Sequence, residues 1–140
     1  MPFSTIQVEH PTNKAIICDL GVGKLMDATL KTCAGGNAGT LAYQHKEQLL
    51  GKAPSQAGDV YSFAVVMLEV YTRVPVWKGL SLVQLQKTIM DDVYPAYDST
   101  DIPAKAKDII RVCFQSAEKR PSFVVLLEQV KCLVGEIDIW

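Results

Sequence analysis

Asp19 ends the apolar run Ile16-Ile-Cys-Asp-Leu-Gly21. A carboxylate there can ligate a hard cation such as magnesium, which takes oxygen ligands and usually one or two carboxylates. It can equally be an ordinary acid where a strand reaches water. Further along, Glu47, Asp59 and Arg120 are charged groups, and Thr29, Thr32 and Thr40 offer hydroxyls in or beside a stretch of little periodicity. Cys18, Cys33, Cys113 and Cys132 form no C-x-x-C pair. Only His10 and His45 could supplement them, so the spacing argues against zinc. Three of the four thiols have apolar sequence neighbours and are expected to be buried and reduced; Cys33, among Gly and Ala, is the one expected to be exposed.

The elements that must position these groups can be read from patterning. Thr5-Ile-Gln-Val8 alternates, Ala15-Ile-Ile-Cys18 is a short apolar run, and Pro11 and Asn13 break the chain between them, which predicts a β-hairpin. Gly21 to Thr40 reads as a long, mobile loop of the kind that is usually functional or disordered. A short helical piece is expected over Tyr43 to Leu50. From Ser55 apolar residues occupy nearly every face, so this helix must be enclosed by other elements; Val74-Pro75 is expected to end it. Ser81 and Gln84 form a capping box for a helix to about Met90. Pro103 reads as the first residue of a further helix whose face is Ile109, Ile110, Cys113 and Phe114. Ser122 is the expected N-cap of a last helix that runs to Val134 and ends at Gly135. The reading is mainly α with a small β-hairpin, in one domain spanning residues 1–140.

Composition narrows the function classes. The chain has 140 residues, 49% hydrophobic and 21% charged, with a net charge of −1, the balance of a folded domain. Basic residues form no dense run, so neither nucleic acid nor an anionic membrane is an expected partner. Phe63 to Leu68 is the longest apolar run and is far too short to span a bilayer. No signal peptide is read at the start, and a reducing, cytoplasmic setting is expected.

Four segments, in order and in register, resemble the C-terminal lobe of a eukaryotic protein kinase. Asp19-Leu-Gly21 is similar to the family's D-F-G. Gly39-Thr-Leu-Ala-Tyr-Gln-His-Lys-Glu47 is similar to G-T-x-x-Y-x-A-P-E. Gly58-Asp-Val-Tyr-Ser-Phe-Ala-Val-Val-Met-Leu-Glu69 resembles the central helix, and Cys113-Phe followed by Arg120-Pro-Ser-Phe123 resembles the closing C-W…R-P-S-F. The resemblance covers about residues 5–134 and implies a C-lobe fragment of a fold that is α+β when complete. The central helix and the R-P-S-F look most like the tyrosine-kinase-like and tyrosine kinase branches, while Thr40 resembles the serine/threonine pattern.

The resemblance implies ATP and Mg2+ as cofactors, with Asp19 as the magnesium carboxylate. It implies Thr40 at the substrate hydroxyl pocket, and Thr29 and Thr32 in the activation segment as possible phosphosites. Glu47 would pair with Arg120 and lock the loop to the helical body; Asp59 would hold the H-R-D loop. The departures matter as much. The 140 residues contain no G-x-G-x-x-G, no V-A-I-K and no H-R-D, and the family's metal-binding asparagine aligns at about Thr5. His45-Lys46 replaces Ala-Pro before Glu47, which removes a rigid turn. The expectation is a kinase domain shortened to its C-lobe and inactive alone. The alternative is a pseudokinase-like interaction module, with a protein partner or the small lobe covering a patch around Leu20, Val22 and Leu25.

Overall fold

In the computed structural model, the described residues are 6–9, 14–17, 41–96 and 102–135. Strands β1 (Ile6–Glu9) and β2 (Lys14–Ile17) pair antiparallel, with Ile6 opposite Ile17 and Glu9 opposite Lys14. The expected hairpin is present, with β1 one residue later and β2 one residue earlier than the apolar pattern implied. Glu9 and Lys14 face each other in the register, so the ladder takes in polar positions that a count of apolar residues overlooks.

The rest is helical: α1 (Lys46–Leu49), α2 (Gln56–Thr72), α3 (Leu82–Met90), α4 (Ala104–Cys113), a 3-10 turn over Ala117–Lys119, and α5 (Phe123–Gly135). Helix α2 lies at the centre. Its Val60, Tyr61, Ala64, Val65 and Leu68 are buried in one cluster with Ile109, Ile110, Cys113 and Phe114 of the α4 segment and with Leu126 and Leu133 of α5. Burying a side chain of this size stabilises by roughly 1.5–3 kcal/mol, so this cluster dominates the stability of the helical body. Phe114 is its keystone, with the Tyr61 ring edge-on at 5.1 Å and the Tyr94 ring stacked at 5.8 Å. A second cluster joins Leu41 and Ala42 to Leu85 and Ile89 of α3.

Local signals set most helix ends. Ser55 Oγ accepts from the Gly58 N–H at 3.1 Å and opens α2. The capping box of α3 forms as read, with Ser81 and Gln84 each accepting from the other's backbone N–H. Ser122 Oγ accepts from Val125 N–H at the start of α5.

Other ends differ from expectation. Helix α2 stops at Thr72, before Val74-Pro75. Arg73 turns into the left-handed region (φ 54°) and its N–H bonds Glu69 O, while the Thr72 hydroxyl bonds back to Leu68 O. Pro103 is the N-cap of α4 and not its first helical residue. The expected helix over Tyr43 to Leu50 contracts to α1, and Tyr43 instead bonds α2 through its carbonyl and its hydroxyl. Gly135 lies inside α5.

Cys113 is buried as expected, and burial pushes its thiol up to about 12. Cys132 is exposed. Its apolar sequence neighbours misled, since α5 turns only Leu126 and Leu133 fully inward and leaves Phe123, Val124, Val125, Leu127 and Val134 in water. Cys18 and Cys33 lie outside the described residues. Among the described residues, no helix is long and apolar enough to cross a membrane.

Candidate functional site

Of the residues that sequence reading singled out, Glu47, Asp59 and Arg120 meet at the N-terminal turn of α2. Arg120, delivered by the 3-10 turn after α4, reaches back across the fold. Its Nη2 donates to Glu47 Oε1 at 3.2 Å and Oε2 at 3.4 Å, its Nη1 to Ala57 O at 3.1 Å, and its Nε to Gln115 O at 2.8 Å. The guanidinium also lies 5.3 Å from the Tyr61 ring centroid. The Arg120 side chain is 4% exposed and that of Glu47 20%. A buried charge of this kind is tolerable only because a planar fork of donors meets several acceptors at once.

Two neighbours complete the arrangement. His45 Nδ1 lies 2.5 Å from Glu47 Oε2. Burial above all, with Arg120 adding, holds the imidazole below its usual range despite the pull of Glu47. Burial pushes the Glu47 carboxyl up. A backbone N–H, the His45 hydrogen bond and the Arg120 charge more than offset this, so its pKa ends below the ordinary carboxylate value. Tyr43 is strapped along α2: its carbonyl accepts from Ser62 Oγ at 2.9 Å and its hydroxyl donates to Glu69 Oε2 at 2.7 Å. Burial, reinforced by Glu69, pushes that phenol up to about 12. The other Glu69 oxygen accepts from Val76 N–H at 2.9 Å, so one carboxylate ties the loop before α1 to the turn after α2.

Asp59 sits half-buried in the first turn of α2, where a carboxylate is favoured by the helix dipole. Its own N–H bonds Ser55 O at 3.2 Å. Asp19, Thr29, Thr32 and Thr40 lie outside the described residues, as do Leu20, Val22 and Leu25. Beside the Glu47–Arg120 pair opens a cavity of about 380 Å³ whose walls include Lys46, Lys52, Tyr61, Ile89, Tyr94 and Ser116. Lys46 is paired with Asp92 across its mouth.

This is the chemistry of a fastening. Its arginine is occupied by the Glu47 carboxylate and two backbone carbonyls, and burial pushes the Tyr43 and Tyr61 phenols up. Among the described residues, no group of three or more His, Cys, Asp or Glu could hold a metal ion. Sequence reading missed His45, Gly58, Tyr43 and Glu69. The signal for His45 was present in the exchange of Ala-Pro for His-Lys.

A central apolar helix, clamped at its start by a distant glutamate–arginine pair and followed by a capped helix and two closing helices, is the arrangement of a kinase C-terminal lobe. The profile of the protein tyrosine and serine/threonine kinase family matches residues 6–130, and the chain belongs to that family. Similar proteins include human mitogen-activated protein kinase kinase kinase 11, 24% identical over 97% of this chain and 16% of its own length. Serine/threonine-protein kinase PknA of Mycobacterium tuberculosis is 33% identical over 73% of this chain and 23% of its own. A probable serine/threonine-protein kinase of Dictyostelium discoideum is 28% identical over 84% and 7%. The chain thus spans under a quarter of the length of each.

Proposed function

We propose that this chain is the C-lobe portion of a protein kinase of the serine/threonine group and that its 140 residues do not transfer phosphate by themselves. The observation that carries the reading is compositional. The chain retains Asp19 and the Glu47–Arg120 fastening, yet contains neither the H-R-D aspartate that orients a substrate hydroxyl nor the lysine strand that holds phosphates. Kinases of this family use ATP and Mg2+, which supply the transferred phosphoryl group and neutralise its charge. In this chain Asp19 would hold the metal and Thr40 would line the hydroxyl pocket. Thr29 and Thr32 would accept regulatory phosphate. With one carboxylate and no partner ligands, binding of Mg-ATP by these residues alone should be poor. The serine/threonine assignment is supported by the names of the relatives.

An ATP-dependent phosphotransfer assay on the purified chain, with Asp19→Ala beside it, tests this. Transfer at background in both is expected; transfer that disappears in the variant overturns the inactive reading. Sequencing the transcript upstream of Met1 is the complementary step, since an in-frame lysine strand and H-R-D loop would make these residues part of an active enzyme.

The second reading, a non-catalytic interaction module, rests on the apolar residues that α5 leaves in water, Val124 at 74% exposure among them. Its partner would be another segment of a longer kinase polypeptide, or a separate protein. It predicts that a longer version of the chain shields Val124 from hydrogen exchange and surface labelling. Equal labelling in both would count against it.

A further inference from the structure

We propose that His45 is a latch: its imidazole, seated in space that only a glycine at position 58 leaves open, positions the Glu47 carboxylate for Arg120 and so fastens the turn before α1 to the first turn of α2. This goes beyond the kinase reading and does not depend on whether the chain transfers phosphate.

The space comes first. A Cβ at Gly58 would lie 2.2 Å from His45 Nε2, 2.8 Å from Cδ2 and 2.9 Å from Cε1. Contact at three ring atoms means that the imidazole rests against the helix backbone, which cannot yield. His45 is 5% exposed, with the Tyr61 ring at 6.3 Å on another side. The ring therefore has nowhere to retreat from a side chain at position 58.

The hydrogen bonding then fixes direction. An ionised Glu47 has no proton to give, so Nδ1 carries the hydrogen and donates to Oε2. That bond selects one orientation for a carboxylate whose two oxygens both also face Arg120 Nη2. Arg120 in turn donates to Ala57 O. The contacts close a ring: Gly58 seats His45, His45 orients Glu47, Glu47 holds Arg120, and Arg120 returns to Ala57, the residue before Gly58. Tyr61, about one turn further along α2, packs on both His45 and Arg120. With Ala-Pro exchanged for His-Lys, the turn has lost its stiff backbone, and the backbone of His45 is merely extended (φ −96°, ψ 161°). The latch replaces a covalent constraint by a packed and hydrogen-bonded one.

Its charge state follows. Among the described residues, the titratable and charged groups facing the imidazole are Glu47 from α1, Tyr61 from α2 and Arg120 from beyond the 3-10 turn. Protonation would place a second cation next to Arg120 in a space with little water. Glu47 compensates only in part, so acidification loosens the latch.

The test is a double-mutant cycle on the full chain by thermal unfolding: Gly58→Ala, His45→Ala and both together. Alanine is otherwise the better residue in a helix, so a loss at Gly58→Ala reports the clash. The expected result is a fall of several degrees in Tm for Gly58→Ala. The double variant should be at least as stable as that single variant, because removing the ring frees the space. Additive losses overturn the proposal. If Gly58→Ala gives no folded protein, recovery of folded protein in the double variant is the expected outcome and its failure overturns the proposal. The second readout is the fall in Tm between pH 7.5 and 5.5, expected to be smaller in His45→Ala than in the parent. An equal fall in both overturns the positioning role.

Discussion

The two ends of α2 are held by different physics. Along its length Val60, Ala64, Val65 and Leu68 meet Ile109, Ile110, Cys113 and Phe114, and the contact is hydrocarbon. Over its first two turns Ala57 and Ser62 make directional polar bonds with Arg120 and Tyr43, and Gly58 gives the His45 ring its seat. Apolar burial is roughly proportional to area and tolerates exchange of one side chain for another of similar volume. The polar end has no such tolerance, since removing one partner strands the others away from water. The body of the domain should therefore survive conservative repacking, while the clamp should fail through any one of its members.

The comparison can be broken most forcefully at its apolar side. Phe114→Ala should cost about 3–5 kcal/mol and leave little folded chain at 37 °C, read by urea unfolding. A loss below about 1 kcal/mol would mean that the cluster is not the main store of stability. On the polar side Arg120→Lys preserves charge but not the fork. It should cost roughly 3 kcal/mol, with Glu47→Ala close to it and the two far from additive.

A smaller effect comes from acid. His45 is held below its unburied value of 6.5, so the native state binds fewer protons than the unfolded chain. Stability is full above that value and declines as pH falls through and below it. Glu47, also lowered, adds a second loss below 4.5. Urea titrations at pH 7.5, 5.5 and 4 should show both stages. Tyr43→Phe removes the donor to Glu69 Oε2 and should cost about 1 kcal/mol. At the far end of α2, Arg73→Gly should stabilise by roughly 0.5–1 kcal/mol, because a β-carbon is disfavoured at φ 54°.

Legibility in the sequence follows the same division. The Ser81–Gln84 capping box could be read because both partners sit within one turn, and the face of Ile109, Ile110, Cys113 and Phe114 because helical periodicity is local. Glu47 and Arg120 are 73 residues apart; their pairing was legible only through family register, since no local pattern joins them. The His45–Gly58 contact was not legible at all. Two unremarkable residues acquire meaning only when chain packing brings an imidazole within 2.2 Å of an absent β-carbon. Cys132 was misread for a related reason. Hydrophobic neighbours in sequence imply burial only when something covers the helix face they occupy, and for much of α5 nothing described does.

The uncovered hydrocarbon of α5 also bears on how long the molecule lasts in a cell. Phe123, Val124, Val125 and Leu127 are adjacent or one turn apart and all at least 42% exposed. Surfaces of this kind are what chaperones hold and proteases sample, and marginal differences in such triage change abundance several-fold. How soon that helix finds cover is therefore one determinant of how much of this protein persists.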